Sequence, residues 1–353
     1  MREASLRDTA QASLMNDTRQ HDPALPAHRD AQGNFHNPPS APRVRGTTAD
    51  WLRFFRDISF GAKSLRQPAI PAGHVLDEKA ALAQLASFGD RDTLTWLGHA
   101  CFLIRLDGKT ILTDPYLSAH ASPVQGFGPK RFAGSGIAIE HLPKLDAILL
   151  SHNHYDHLDA VALRKLARHS SEACFVIPLG LKPLIESLGY TNVHELDWGD
   201  QHVENGLTVT AVPAVHFSSR TPFDRNRTLW CGFALASEKH RVYFAGDTGW
   251  GEVFEHAGRR FGPFDTALVP IGAYEPRPLM QAVHANPEEA VRIGKAMQAQ
   301  RLVAMHWGTV ALTTEPAFDP PPRFLAAADR SGYAPEQAWV MKIGETRALA
   351  GAD

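Results

Sequence analysis

The chain has 353 residues, of which 44% are hydrophobic and 21% charged. These are the proportions of a soluble globular protein, and they exclude collagenous or wholly disordered chains. With 36 Lys and Arg against 38 Asp and Glu, it has no net field to gather a nucleic acid and no basic, aromatic-interleaved stripe, so no nucleic-acid partner is expected.

The first twenty residues, MREASLRDTAQASLMNDTRQ, contain no apolar run of a signal peptide, and no later run reaches the roughly 18 residues of a spanning helix. Neither an export signal nor a transmembrane segment is expected. Cys101, Cys174 and Cys231 form an odd set in separated apolar stretches and read as buried thiols of a reducing compartment. A cytoplasmic location is the expectation, with peripheral membrane contact left open.

Residues 1–46 are polar, carry prolines at 23, 26, 38, 39 and 42, and read as a mobile or surface-draped arm ahead of a folded body over 47–353. Trp51, Phe54, Phe55 and Ile58 have the spacing of a short amphipathic helix that packs on the body or touches lipid. Core packing is the commoner fate of such a stripe. From Thr93, TLTWLGHACFLIRL and KTILTD flank Asp107-Gly108, a hairpin signal. Residues 116–143 lack periodicity and are rich in Gly and Pro, the pattern of a long irregular pocket wall. Lys130 and Arg131 in this stretch could meet an anionic head group, although a solvated pair is the usual fate of such charges.

LDAILLS (145–151) is a short apolar strand that runs into a His and Asp cluster and then the helical pattern LDAVALRKLARHS. Similar strands follow in CFVIP, LTVTAV, LWCGFALAS, RVYFAGD, DTALVP and RLVAMHW. A helix before the last has Asn286 as N-cap, Pro287 at its first position and Glu289 completing a capping box. Hairpins come first and strand–helix units later in each half, so two sheets packed face to face with helices outside are expected.

The decisive feature is His152-Asn-His154-Tyr-Asp156-His157. Imidazole and carboxylate suit zinc and related first-row ions, and four such residues in six positions are too many for one ion that must also hold water. Alternation in an extended loop aims His152, His154 and Asp156 one way and His157 another, so two adjacent ions can each take a share. His216, Asp247 and His306 each follow an apolar strand and complete the set if the strand ends share one rim.

HxHxDH, a downstream His, GDTG and a final His-Trp-Gly resemble the metallo-β-lactamase superfamily of dinuclear hydrolases. More narrowly, WLGHACFLI, ILTDPYLS, ASPVQGFGPKRF, SHNHYDHLD, GDTGW, NPEEAVRI and HWGTVALTTEP are similar to the N-acylphosphatidylethanolamine-hydrolysing phospholipase D branch, from about residue 34 to 349. The resemblance implies an α/β (α+β) αββα sandwich of two mixed sheets flanked by helices, built as one domain from two similar halves. It implies two Zn2+ per chain, with His152, His154 and His216 on one, Asp156, His157 and His306 on the other, and Asp247 between them. Asp114 in TDP would orient the loop from behind the ligands. His99 in LGHA is open to that part or to a structural hydrogen bond. The family further suggests a homodimer and a peripheral apolar surface.

Two adjacent ions would lower the pKa of a shared water and polarise a phosphoryl oxygen. The expected reaction is therefore hydrolysis of a lipid-like phosphodiester, with phosphatidic acid and an N-acylethanolamine as products if the resemblance extends to specificity. Asp247 and Asp156 carry the catalytic metals, and His284, just before the NPEEA helix, could bind phosphate or protonate the leaving group. Tyr155 could face the substrate from within the loop. A lactonase or esterase with the same ligands is the alternative. A non-catalytic, metal-stabilised protein that binds a membrane or a partner is more remote, since seven ligands for two ions leave room for water.

Overall fold

In the computed structural model, residues 28–60 and 67–349 are described. Residues 1–27 of the expected arm over 1–46, and residues 61–66 and 350–353 of the expected body, lie outside them. The strands are β1 Thr93–Trp96, β2 Phe102–Leu106, β3 Lys109–Thr113, β4 Ala147–Leu149, β5 Cys174–Pro178, β6 Val193–Leu196, β7 Gln201–Glu204, β8 Leu207–Pro213, β9 Cys231–Ala236, β10 Arg241–Phe244, β11 Phe264–Pro270, β12 Ala299–Met305, β13 Ala338–Trp339 and β14 Thr346–Ala348. The helices are α1 Thr48–Phe60, α2 Glu78–Ser87, α3 Ala160–Ser170, α4 Lys182–Ser187, α5 Val253–Phe261, α6 Arg277–Met280, α7 Pro287–Ala296 and α8 Pro320–Arg330.

Two seven-stranded mixed sheets result, in the orders β14-β1-β2-β3-β4-β5-β6 and β13-β12-β11-β10-β9-β8-β7. In each, antiparallel hairpins come first and parallel strands follow. The sandwich expected from the sequence is the one observed. Side chains alternate across each strand, so Leu149 and Val176 join Val209, Phe233 and Leu235 between the sheets. Their neighbours Ile148, Phe175 and Ile177 face outward against Leu163, Leu166 and Ile185 of α3 and α4. Phe254, Val291 and Phe324 of α5, α7 and α8 extend the central cluster on the far side of the second sheet. Strands buried on both faces read as continuous apolar runs, which is why the central ones were visible in the sequence.

TLTWLGHACFLIRL is a strand that folds back on itself. Gly98 (φ +92°) and His99 (φ +56°) turn the chain between β1 and β2, and Trp96 Nε1 donates to the His99 carbonyl at 3.0 Å. A Cβ on Gly98 would meet Arg131 Nη2 at 2.5 Å, so this turn needs glycine for both conformation and space. The strands β6, β7 and β14 have no apolar run to announce them, and β13 takes only two residues of the run Ala338-Trp339-Val340-Met341. They are short pieces at or near sheet margins.

Residues 28–46 lie against the body. Phe35 is buried, and the Asn37 side chain accepts from His216 N at 2.9 Å and donates to His216 O at 2.8 Å. Helix α1 forms where its spacing predicts it, but its stripe is not core. Trp51, Leu52 and Phe55 stand 37%, 68% and 56% exposed. The aromatic rings pack on one another at 5.7–6.1 Å between centroids, and among the described helices and strands α1 packs chiefly on the one-turn α6.

Candidate metal centre

The site lies at the rim where strands of both sheets end. Asp114 follows β3, His152 to His157 follow β4, His216 follows β8, Asp247 follows β10 and His306 follows β12. The structure brings all seven expected ligands together and buries all but His154, which is half-buried. His152 Nε2 lies 2.8 Å from His154 Nδ1, which lies 3.2 Å from His216 Nε2. On the other side, Asp156 Oδ2 is 3.4 Å from His157 Nε2 and 3.6 Å from His306 Nε2. Asp247 stands between the groups. Its Oδ2 is 3.8 Å from His216 Nε2, 3.9 Å from His152 Nε2 and 3.1 Å from His157 Nε2, and its Oδ1 is 3.0 Å from His306 Nε2.

The outer partners of these rings decide which nitrogens face the centre. Asp114 Oδ2 accepts from His157 Nδ1 and from Ser151 Oγ, both at 2.6 Å, and its Oδ1 accepts from Ser151 N at 2.7 Å. Because Ser151 Oγ donates to Asp114, it accepts from His152 Nδ1 at 2.8 Å. His216 Nδ1 donates to Val283 O at 2.8 Å. Each of these three rings therefore turns a bare Nε2 lone pair inward, the tautomer that a metal ligand needs. His157 Nε2, His306 Nε2 and Asp247 Oδ1 are buried without a hydrogen-bond partner. Orphaned buried groups of this kind are costly, and a cation would satisfy all three. The donor set of imidazoles and two carboxylates fits a pair of first-row ions.

The electrostatics divide the rings in two: burial holds one set neutral, while at His157 and His306 burial is outweighed by the neighbouring carboxylates, which push both up, and a bound ion would displace their second proton. Burial, reinforced by repulsion from neighbouring rings, holds His152 well below the usual histidine value and His154 down to about 3. Burial holds His216 down to about 4 against the pull of Asp247. Burial also works against charge on His306, yet Asp247 and Asp156 together push it up to about 9. Burial alone would raise Asp156 and Asp247, but His157 and the other rings around them keep both carboxylates far below their ordinary value. Three residues of the site take left-handed backbone, His99 at φ +56°, Asp114 at +32° and His306 at +61°. This conformation costs a residue with a side chain on the order of 1 kcal/mol or more, and Asp107, Asn205, Asn226, Ala273 and Gln298 adopt it away from the seven ligands. Gly246, before Asp247, approaches Ser151 so closely that a Cβ would meet Ser151 Cβ at 2.6 Å.

His99 Nε2 donates to Asp156 Oδ2 at 2.9 Å, and with Asp156, His157 and His306 it forms one group whose ligand atoms lie within 4.8 Å of one another. His284 sits at the mouth, 12% exposed, with Nδ1 at 3.9 Å from Asp247 Oδ2. The α7 N-terminus behind it is answered within its own helix by the capping box that the sequence announces. Asn286 caps Glu289 N at 2.8 Å, and the Glu289 carboxylate takes Asn286 N at 3.1 Å. Tyr155 is also committed elsewhere. Its hydroxyl donates to Arg220 O at 2.9 Å and its ring stacks under the Arg220 guanidinium at 3.9 Å.

Arg131 corrects the sequence reading most plainly. It is neither solvated nor offered to a head group. Its guanidinium is buried and donates to the carbonyls of Tyr116, Leu97, Ala133 and Gly134, which fastens the irregular segment to the β1–β2 turn. Lys130 is exposed and lines a cavity of about 660 Å³ with Ile58, Ser59 and Gly128. Ala311 lines this cavity and also the pocket that holds His99 and His306. The sequence reading missed Ser151, Asn37 and Asp159. Asp159 caps α3 and also accepts from Leu117 N and Ser118 N. Ser151, wedged between an apolar run and the first ligand, and Asp159, an N-cap residue type just ahead of a helical pattern, carried a local signal; Asn37 did not.

A family model described as a β-lactamase superfamily domain matches residues 109–307. An N-acyl-phosphatidylethanolamine-hydrolyzing phospholipase D 1 of Caenorhabditis elegans is 42% identical over 237 residues, covering 64% of this chain and 67% of that protein. A UPF0173 metal-dependent hydrolase of Caldivirga maquilingensis is 32% identical over 219 residues, 61% of this chain and 82% of that one. Among solved structures, a novel metallo hydrolase of Ignicoccus hospitalis superposes with a TM-score of 0.55 over 72% of this chain and 97% of its own, at 24% identity. At that identity the likeness is one of fold.

Proposed function

From the premise that the chain belongs to the metallo-β-lactamase superfamily and is a metal-dependent hydrolase, we propose that it is a dinuclear zinc phosphodiesterase of phospholipase D type. Its substrates would be N-acylphosphatidylethanolamine-like lipids, cleaved to N-acylethanolamine and phosphatidic acid. The arrangement of two ligand groups on either side of the Asp247 carboxylate supports the dinuclear centre, and the 42% identity to the Caenorhabditis elegans phospholipase D supports the choice of substrate. His152, His154 and His216 would hold one ion, and Asp156, His157 and His306 the other. When bound, such a pair supplies Lewis acidity toward a phosphoryl oxygen and activates water at neutral pH.

The chain's own groups do the rest. Asp114 and Ser151 lock the rings from behind, and His99 holds Asp156 through Oδ2, the same oxygen that faces His157 and His306. His284, at the mouth, is placed to touch the phosphoryl group or its leaving oxygen. Lys130, on the rim of the large cavity, suits the phosphate charge of a lipid. The exposed stripe of α1 and the 74% exposed Phe127 support an apolar surface for lipid near that cavity, which Ile58 of α1 also lines.

The test is a panel assay of the zinc-loaded protein on bis(nitrophenyl) phosphate, an N-acylated phosphatidylethanolamine in mixed micelles, and simple lactones. Turnover of the phosphodiesters is expected. Hydrolysis of lactones alone would overturn the phospholipase reading and leave a lactonase with the same ligands.

A further inference from the structure

The edge strands β6 and β7 close their respective sheets and are joined by residues 197–200, so the chain crosses there from one sheet to the other. His194 and His202 flank that crossover. His194 pairs with Val176, which puts it on the same face of the sheet as Cys174, two residues earlier on β5, and that face looks into the gap between the sheets. On β7 the exposed Gln201 and Val203 alternate with half-buried His202 and Glu204, which turn inward from the other side. Sγ of Cys174 and one ring nitrogen each of His194 and His202 lie within 4.8 Å of one another.

The surroundings favour ligation over chance proximity. The two imidazoles stack with centroids 3.8 Å apart. His194 Nε2 donates to Asn192 Oδ1 at 2.7 Å, leaving Nδ1 as a bare lone pair, held as ligating imidazoles usually are by an outer acceptor. The Glu204 carboxylate accepts from the Cys174 thiol, and its Oε2 is 3.5 Å from His202 Nε2. Cys174 pairs with Ala147 at the start of β4, five residues before His152. At roughly 3.3 Å per strand residue, the cluster lies well away from the hydrolytic rim.

We propose that this edge is a second, structural metal site, in which Zn2+ is bound by Cys174, His194 and His202 with Glu204 as the fourth ligand. One thiolate, two imidazoles and one carboxylate make a closed set of four protein ligands, which is the chemistry of structural rather than catalytic zinc. Binding would displace the thiol proton now shared with Glu204 and release one H+ to the buffer per ion. The ion would staple the margins of the two sheets. The site is independent of the hydrolytic centre and of its substrate.

Chelator-stripped full chain is reloaded with Co2+ alone, and bound metal is counted alongside the absorption spectrum. The wild type is expected to show a thiolate-to-cobalt charge-transfer band, since Cys174 is the only described cysteine in such a donor group. C174S and the H194A/H202A double variant are each expected to lose that band and one equivalent of metal, while keeping wild-type turnover. D247N, which disrupts the hydrolytic centre, is expected to keep the band. Near-ultraviolet circular dichroism checks that each variant folds, and H202Q at its half-exposed position serves if C174S does not. Absence of the band in the wild type, its survival in C174S, or equal metal counts in wild type and both variants would overturn the proposal.

Discussion

The two halves of the molecule, β1–β6 and β7–β13, follow the same order of antiparallel then parallel strands but deliver their side chains differently. The first half places four ligand-type residues in the single loop 152–157 and braces them with Asp114, at the end of the neighbouring strand. The second half sends one residue from each of three strand ends, His216, Asp247 and His306. A loop can be shaped by one well-placed carboxylate. Three strand ends can meet only if the register of a whole sheet is right, and here Val242 lies opposite both Leu235 and Thr266 across its neighbours. One half therefore depends on local bracing and the other on global alignment.

That contrast can be broken experimentally. Asp247→Asn removes the one carboxylate that faces both ligand groups. It should lower turnover by about 10^3-fold or more, measured on the best substrate of the panel with metal content determined in parallel, and a variant with near-normal rates would disprove a shared centre. Arg131→Met should leave four carbonyls at the first half's turn without their donors and cost about 3–5 kcal/mol of stability. Urea unfolding checks this, with the specific activity of the folded fraction kept.

Smaller effects sharpen the difference. Asp114→Asn should reduce metal affinity or activity by about 10–100-fold, since the brace serves His157 and Ser151 together; competitive chelator titration reads it out. Asn37→Ala releases the backbone of His216 and should lower kcat about tenfold with little change in KM, a test of whether a segment before both halves helps to hold a second-half ligand. Outside both halves, the W51A/F55A variant of α1 should slow hydrolysis of vesicle-borne lipid a few-fold, by about the burial of two exposed rings. Hydrolysis of a soluble phosphodiester should be unchanged, and equal slowing on both substrates would show that α1 does not meet lipid.

What could be read from residues alone follows from range. Central strands are apolar on both faces, the Asp107-Gly108 hairpin and the Asn286 capping box are written within a few neighbours, and four ligand types in six positions announce a metal loop. Those signals are local, so the sandwich and the His and Asp loop at its rim were legible together, whereas the meeting of His216, Asp247 and His306 with that loop depends on the register of a whole sheet. The tertiary structure alone decided that Arg131 is an internal clamp rather than a contact for head groups, and that Tyr155 turns to Arg220. It also decided that the α1 stripe meets solvent. Each of those outcomes depends on which distant carbonyl, ring or face arrives alongside. A side chain's partners in sequence limit what it can bind, but its partners in space determine what remains free to bind.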